Sequence, residues 1–248
     1  VTFQDHFSAH ADDYARFRPR YPDALFGWLS EFPTARRSAW DVGAGNGQAA
    51  FALLPYFDRV VATDPSPQQI ALTPPHDRLV TMVAAETCAS IADGSVDLIT
   101  VAQAAHWFDL ESFYGEVRRV ASPGAVVALW CYGLFRVAPT VDAIVDRFCV
   151  DEVGADWPPE RRQVDEAYRN LAFPFDEIDA PVFAIECRLS LEGLMAYVRT
   201  WSAVQRYAKR TGRDPLTRLR MALSEAVVEG EILDLRFPLG LRVGRVGR

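Results

Sequence analysis

Asp41-Val42-Gly43-Ala44-Gly45-Asn46-Gly47 joins a carboxylate to three closely spaced glycines directly after a short apolar run. These types and spacings suit a strand-to-helix turn that cradles a nucleotide-containing cofactor. Glycine admits backbone angles closed to other residues and lets the main chain approach a ligand, while the following helix offers its unpaired N–H groups there. A dinucleotide fingerprint needs Gly-x-Gly-x-x-Gly, and counting from Gly43 puts Gln48 in the third glycine position, which weakens a nicotinamide reading. A tight turn closing an ordinary βα unit is the plain alternative.

A second carboxylate follows 23 residues after Asp41, where Arg59-Val60-Val61-Ala62-Thr63-Asp64 reads as a β-branched strand ending in an acid. A carboxylate at such a strand end can accept both hydroxyls of a ribose, and a βαβ unit sets it about 20 residues beyond the loop. Asp64 could instead cap the helix that Pro65 announces, although Ser66 is equally able to do so.

The frame acidic-x-Gly-x-Gly-x-Gly, filled at all its marked positions from Asp41 to Gly47, resembles the first motif of the class I S-adenosylmethionine (SAM) dependent methyltransferases. The resemblance implies that Gly43, Ala44, Gly45 and Gly47 hold the methionine end of SAM. It implies that Asp41 reaches the ammonium group directly or through water, and that Asp64 and Pro65 lie along the ribose.

In open α/β sheets ligands sit beyond the carboxyl ends of the strands, which makes Gln103-Ala104-Ala105-His106-Trp107-Phe108-Asp109, after the fourth strand, the expected meeting point of substrate and cofactor. Gln103 and His106 are the candidates for a direct part in the chemistry, Gln103 also touching the cofactor. His106 suits a general base for a hydroxyl or amine acceptor, whereas a carboxylate acceptor needs no base and would take only a hydrogen bond. A structural histidine is an equal alternative. Trp107, with core packing as its alternative, and Trp130 in the fifth strand are candidate substrate contacts, and Asp109 reads best as a helix cap.

Phe7, Tyr14-Ala15-Arg16-Phe17-Arg18-Pro19-Arg20-Tyr21-Pro22, Ala85-Glu86, Gln103 to Phe108 and Glu116 to Gly124 together resemble the type 11 methyltransferases related to trans-aconitate methyltransferase. The likeness covers most of the chain. It implies that Ala85 and Glu86 flank the adenine and that Tyr14 and Arg18, on an N-terminal segment, close the cofactor site or bind its carboxylate. Read without it, Tyr14 to Tyr21 is a basic aromatic arm. Further on, Arg199 and Arg206 stand one heptad apart on an expected helix over Leu191 to Tyr207, with Trp201 and Tyr207 beside them. Arg199 and Tyr207 are therefore candidate substrate contacts, and a solvated face is the alternative.

The elements that must position these groups alternate. Strand patterns occur at Ala39 to Val42, Val60 to Thr63, Leu79 to Ala84, Val96 to Ala102 and Ala125 to Cys131, with helical stretches between them. The nearly continuous apolar run at Val96 to Val101 suits a parallel strand covered on both faces. The class is α/β, and the resemblance implies a Rossmann-like seven-stranded, mostly parallel sheet whose antiparallel last strand inserts between the fifth and sixth, with a helical cap. The expected division is a lid over 1–30, a SAM-binding core over 31–135, and the cap plus the last two strands over 136–248.

Composition narrows the classes. A net charge of −7 argues against a broad phosphate-binding face, so nucleic acid is not an expected partner. A DNA amino-methyltransferase would carry an Asn/Asp-Pro-Pro-aromatic motif after the fourth strand, and Thr73-Pro74-Pro75-His76 lies elsewhere. Cys88, Cys131, Cys149 and Cys187 form no CxxC pair, so neither a metal site, an iron–sulfur centre nor a disulfide framework is expected. No apolar run is long enough to span a bilayer, and the chain reads as cytoplasmic. Arg far outnumbers Lys, with Lys209 the only lysine, which points to a bacterial coding bias. The expected activity is methyl transfer from SAM, leaving S-adenosylhomocysteine, to a small-molecule oxygen, carboxylate or hydroxyl. The rivals are a catalytically silent SAM-binding module and a nicotinamide-dependent oxidoreductase.

Overall fold

The computed structural model describes residues 19–247. Phe7, Tyr14 and Arg18 lie outside the described residues, and most of the expected lid lies there with them. A helix α1 (Asp23–Leu29) leads into β1 (Ser38–Val42), α2 (Gln48–Leu53), β2 (Arg59–Asp64), α3 (Pro67–Ala71), β3 (Leu79–Val83) and β4 (Val96–Ala102). Then follow α4 (Leu110–Val120), β5 (Ala121–Tyr132), α5 (Pro139–Arg147), α6 (Arg161–Asp165), β6 (Asp176–Glu177), β7 (Ala184–Ser190), α7 (Leu191–Arg199), α8 (Ser202–Thr211), α9 (Leu216–Ala226) and β8 (Ile232–Arg245).

The strands order as β3-β2-β1-β4-β5-β8-β6, with β7 also paired to β8. β1 to β5 pair in parallel and β8 runs antiparallel to β5. Eight strands occupy seven positions, because the expected sixth strand is interrupted. β6 pairs with Gly244 and Arg245 near one end of β8, and β7 pairs with Ile232 to Pro238 near the other. The expected insertion of the last strand between the fifth and sixth is what the sheet shows. Order reverses between β1 and β4, which opens a crevice at their carboxyl ends.

Both faces of the sheet are covered, as the apolar run of β4 requires. α1 and α2 bury Leu25, Phe26, Leu29 and Leu53 against one face, and Phe113, Val117 and Val120 of α4 cover the other. A third core joins α5, α7, α8 and α9 to β7 and the first half of β8 through Phe135, Tyr197, Trp201 and Phe237. This is the cap.

The helix expected over Leu191 to Tyr207 is two helices. Thr200 Oγ1 donates to the Tyr197 carbonyl at 2.7 Å and ends α7, and Trp201 turns to an extended backbone (φ −69°, ψ 135°) before α8. The turn buries the Trp201 indole against Phe135, Trp157 and Tyr197, a tertiary gain that overrides a continuous helical pattern. Arg199 and Arg206 therefore stand on different helices. Among the described residues no helix is long and apolar enough to cross a membrane.

Candidate functional site

A cavity of about 440 Å³ opens at the carboxyl ends of the parallel strands and runs from the loop after β1 to the cap. One end is lined by Gly43, Ala44, Gly45 and Asn46, then Asp64 and Pro65, then Ala85 and Glu86. The other end is lined by Gln103, His106 and Trp107 after β4, and by Trp157, Glu160 and Arg161 of the cap. The sheet crevice thus brings together most of the residues singled out by type and spacing.

The glycine loop is held by its own backbone and by the acid of β2. Ala44 N–H donates to the Thr63 carbonyl at 2.9 Å, and Gly45 N–H donates to Asp64 Oδ2 at 2.8 Å. Asp64 Oδ1 accepts from Ser66 N–H at 2.8 Å, while the Ser66 hydroxyl caps α3 by accepting from Gln69 N–H. Ser66, not Asp64, is the helix cap. Gly43 holds φ +67°, and a β-carbon there would stand 2.6 Å from the Ala104 methyl, so the loop and the segment after β4 touch through this residue. At Gly45 (φ +56°) an added β-carbon would have only Gln69 Oε1 nearby, at 3.7 Å.

Two loop residues stand elsewhere than expected. Gly47 does not line the cavity. It caps α2 at φ +83°, where a β-carbon would press on the Thr73 side chain at 2.8 Å, so its constraint is packing. Asp41 is wholly buried behind the cavity wall, which excludes it from the lining. Its Oδ1 accepts from Thr100 Oγ1 at 2.8 Å, and its Oδ2 has no side-chain hydrogen-bond partner among the described residues. Burial raises its carboxyl to about 7, against the lowering pull of the Thr100 and Ala50 hydrogen bonds and with a smaller push from Asp64.

Sequence spacing passed over Gln69. Its side chain is 4% exposed, it lines the cavity at the glycine-loop end, and among the described residues neither its amide nitrogen nor its amide oxygen has a partner. Gln48, in the failed third-glycine position, also has a local reason. Its amide accepts from Tyr21 N–H and donates to the Pro19 carbonyl, both at 3.3 Å, and both Pro19 and Tyr21 line the cavity. The start of the described chain is clasped over the loop.

Gln103 lines the cavity, with its amide engaged by the neighbouring strand. It takes a left-handed backbone (φ +57°), and its side-chain amide donates to the Tyr132 carbonyl at 3.0 Å and accepts from Tyr132 N–H at 2.7 Å. The amide extends the β4–β5 pairing, and the bend swings Ala104 to Phe108 across the strand ends. His106 follows in a short 3₁₀ turn, its Nδ1 at 2.8 Å from Tyr168 Oη and its ring 4.8 Å from that of Trp107. Asp109 caps α4 by accepting from Glu111 N–H and Ser112 Oγ, as expected.

Three expected substrate contacts lie away from the cavity. Trp130 is fully buried in the core, edge-on to Tyr21 and Phe26. Arg199 is exposed and pairs with Asp214, and Tyr207 donates to Glu152 at 2.9 Å. The break between α7 and α8 removes the face they would have shared. The cap contributes Arg161 instead, 17% exposed, with its guanidinium carbon 4.3 Å from the Trp157 ring centre and its Nε donating to Asp165 at 2.7 Å. No motif spacing marks Arg161; only the folding of the cap onto the strand ends does.

These residues fit SAM. Among the described residues, a buried carboxylate oxygen left without a partner behind the loop suits a cation, a buried amide left without one beside the loop suits a polar ligand edge, and Gly45 has open space where a side chain would sit. Among the described residues no group of three or more His, Cys, Asp or Glu side chains could hold a metal.

The family described as "Methyltransferase domain" matches residues 40–129. A candidate methyltransferase of Dictyostelium discoideum is 31% identical over 245 residues, spanning 96% of this chain and 93% of its own. An uncharacterised methyltransferase of Mycobacterium tuberculosis is 36% identical over half of each chain. Among solved structures, a candidate type II methyltransferase from Anaeromyxobacter dehalogenans is 47% identical with a TM-score of 0.87, covering 93% of this chain and 98% of that one.

Proposed function

Because this chain belongs to the SAM-dependent methyltransferases, we propose that it methylates an oxygen of a small acidic molecule held at the cap end of the cavity. The observation that carries the proposal is the continuity of one cavity from the Gly43 to Asn46 loop to Arg161, so cofactor and acceptor subsites share a space closed on one side by the cap. When bound, the cofactor supplies an electrophilic methyl group on a sulfonium centre.

The chain's residues position and exclude water. The loop at Gly43, Ala44 and Gly45, with Asp64 and Pro65, would hold the methionine and ribose parts. Asp41 would balance the ammonium from behind the loop through water, since it does not line the cavity. Gln69, Ala85 and Glu86 would line the remainder of the nucleoside. At the other end, Arg161 donates from its Nε to Asp165, and among the described residues its terminal N–H groups have no hydrogen-bond acceptor, which suits them to an anionic substrate. Trp107 and Trp157 supply flat apolar walls. Orientation of this kind is worth several kcal/mol toward the barrier, on the order of 7 or more in well-fixed pairs.

The test is a screen of carboxylates, phenols and amines with methyl-labelled cofactor. Labelled product from an acidic oxygen acceptor supports the reading. Methylation confined to amines would overturn the oxygen assignment, and no product in any class would overturn turnover itself.

A further inference from the structure

His106 is braced from below by an unusual turn. Ala167 and Tyr168 both hold left-handed backbones, at φ +53° and +58°, although neither is glycine. Consecutive strained residues of this kind persist only where the surroundings hold them. The holding is visible. Arg242 of β8 donates through one terminal nitrogen to the carbonyls of Tyr168 at 3.1 Å, Arg169 at 3.3 Å and Leu171 at 2.9 Å, while its other nitrogens pair with Glu177. Gly240, also on β8, lets the turn come so near that a β-carbon there would stand 2.6 Å from the Ala167 carbonyl oxygen.

This strained turn delivers one polar group. The Tyr168 side chain is fully buried, and its Oη lies 2.8 Å from His106 Nδ1. The same oxygen faces the backbone N–H groups of Ala105 and His106 at the start of the 3₁₀ turn, which can only donate to it. Burial also holds the phenol protonated far above its usual range. Among the described residues the hydrogen-bond acceptor that faces the hydroxyl proton is therefore His106 Nδ1. A proton on Nδ1 instead would leave the hydroxyl hydrogen buried without a partner, the costlier arrangement.

We propose that Tyr168 is a positioning residue that fixes neutral His106 with its proton on Nε2, so that His106 acts as a hydrogen-bond donor rather than a general base. With Nδ1 taken by Tyr168 and Nε2 protonated, the ring has no lone pair left to remove a proton. The acceptor must then arrive already deprotonated, which selects carboxylates and acidic phenols over alcohols and amines. This rests on the methyltransferase reading of the cavity above.

The experiment is nitrogen NMR of the full chain with labelled histidine at about pH 8, alone and with S-adenosylhomocysteine, with His106→Asn used to assign the signal. The expected result is a protonated Nε2 and a bare, hydrogen-bonded Nδ1 in the wild type. Tyr168→Phe should shift His106 to a mixture of tautomers while calorimetric binding of S-adenosylhomocysteine persists. A wild-type proton on Nδ1, or a His106 spectrum unmoved by Tyr168→Phe, would overturn the proposal. The wild-type spectrum decides even where Tyr168→Phe does not fold. Loss of S-adenosylhomocysteine binding by the wild type would instead sink the functional reading, with the tautomer result standing apart.

Discussion

Gly45 donates its backbone N–H to Asp64 Oδ2 at 2.8 Å, so the loop after β1 and the acid ending β2 form one hydrogen-bonded unit. The same carboxylate accepts from Ser66 N–H, and it therefore shapes the loop and the start of α3 together. Asp64→Ala should weaken S-adenosylhomocysteine binding tenfold or more, from charge-assisted bonds worth roughly 1.5 to 3 kcal/mol, and also lower thermal stability. Calorimetry showing unchanged affinity would remove Asp64 from the cofactor site.

Asp41 gives a pH signature. Its folded carboxyl ionises near 7 against an ordinary 3.8, mainly because it is desolvated. Between those values the unfolded chain binds fewer protons than the folded one, so this group's contribution to stability falls as pH rises and is fully lost above about 7. The loss is on the order of 4 kcal/mol at most. Asp41→Asn should flatten the melting temperature between about pH 4 and 7. Cofactor affinity of the wild type should rise through that upper value as the carboxylate forms, and that of Asp41→Asn should not. Parallel pH profiles for the two proteins would refute the role.

Gly43 and Gly45 should fail differently on conversion to alanine. Both pay the left-handed backbone cost of roughly 1–2 kcal/mol. Gly43→Ala also drives a methyl into Ala104, so chemical denaturation should show the larger loss of stability. Gly45→Ala meets open space in the protein, and its chief effect should appear in cofactor affinity.

Arg161 and Arg199 separate the acceptor site proposed from the cavity lining from the one expected from the sequence. With any acidic acceptor found in the screen, Arg161→Ala should raise KM about tenfold or more, the scale of a charge-assisted hydrogen bond. Arg199→Ala lies on an exposed pair with Asp214 and should leave KM nearly unchanged. Equal effects would contradict the placement of the acceptor.

Gln103→Ala removes both side-chain bonds to the Tyr132 peptide and should cost roughly 1 to 3 kcal/mol in urea unfolding. A stability like the wild type's, with activity lost, would restore Gln103 to the chemistry.

What was legible in the chain was local or set by fixed spacing. β4 was readable from Val96 to Ala102 because an apolar run bounded by turns has one economical use, a covered parallel strand. The α4 cap at Asp109 was readable because its hydrogen bonds close within a few residues, whereas Asp64 and Ser66 were both open as the α3 cap until the structure chose Ser66. The loop from Gly43 and the acid at Asp64 were readable because a βαβ unit fixes the distance between them. The sequence by itself thus determined the sheet, the crevice and the glycine-loop end of the cavity.

Only the tertiary structure decided the cap end of the cavity. Arg161, Tyr168 and Trp157 reach His106 and Trp107 through a cap whose course depends on burying Trp201 and on Arg242 holding a strained turn from another strand. His106 and Tyr168 are 62 residues apart, and no periodicity links them. Trp130, Arg199 and Tyr207 do not line the cavity, because side-chain type says what a residue can do and packing alone says what it faces.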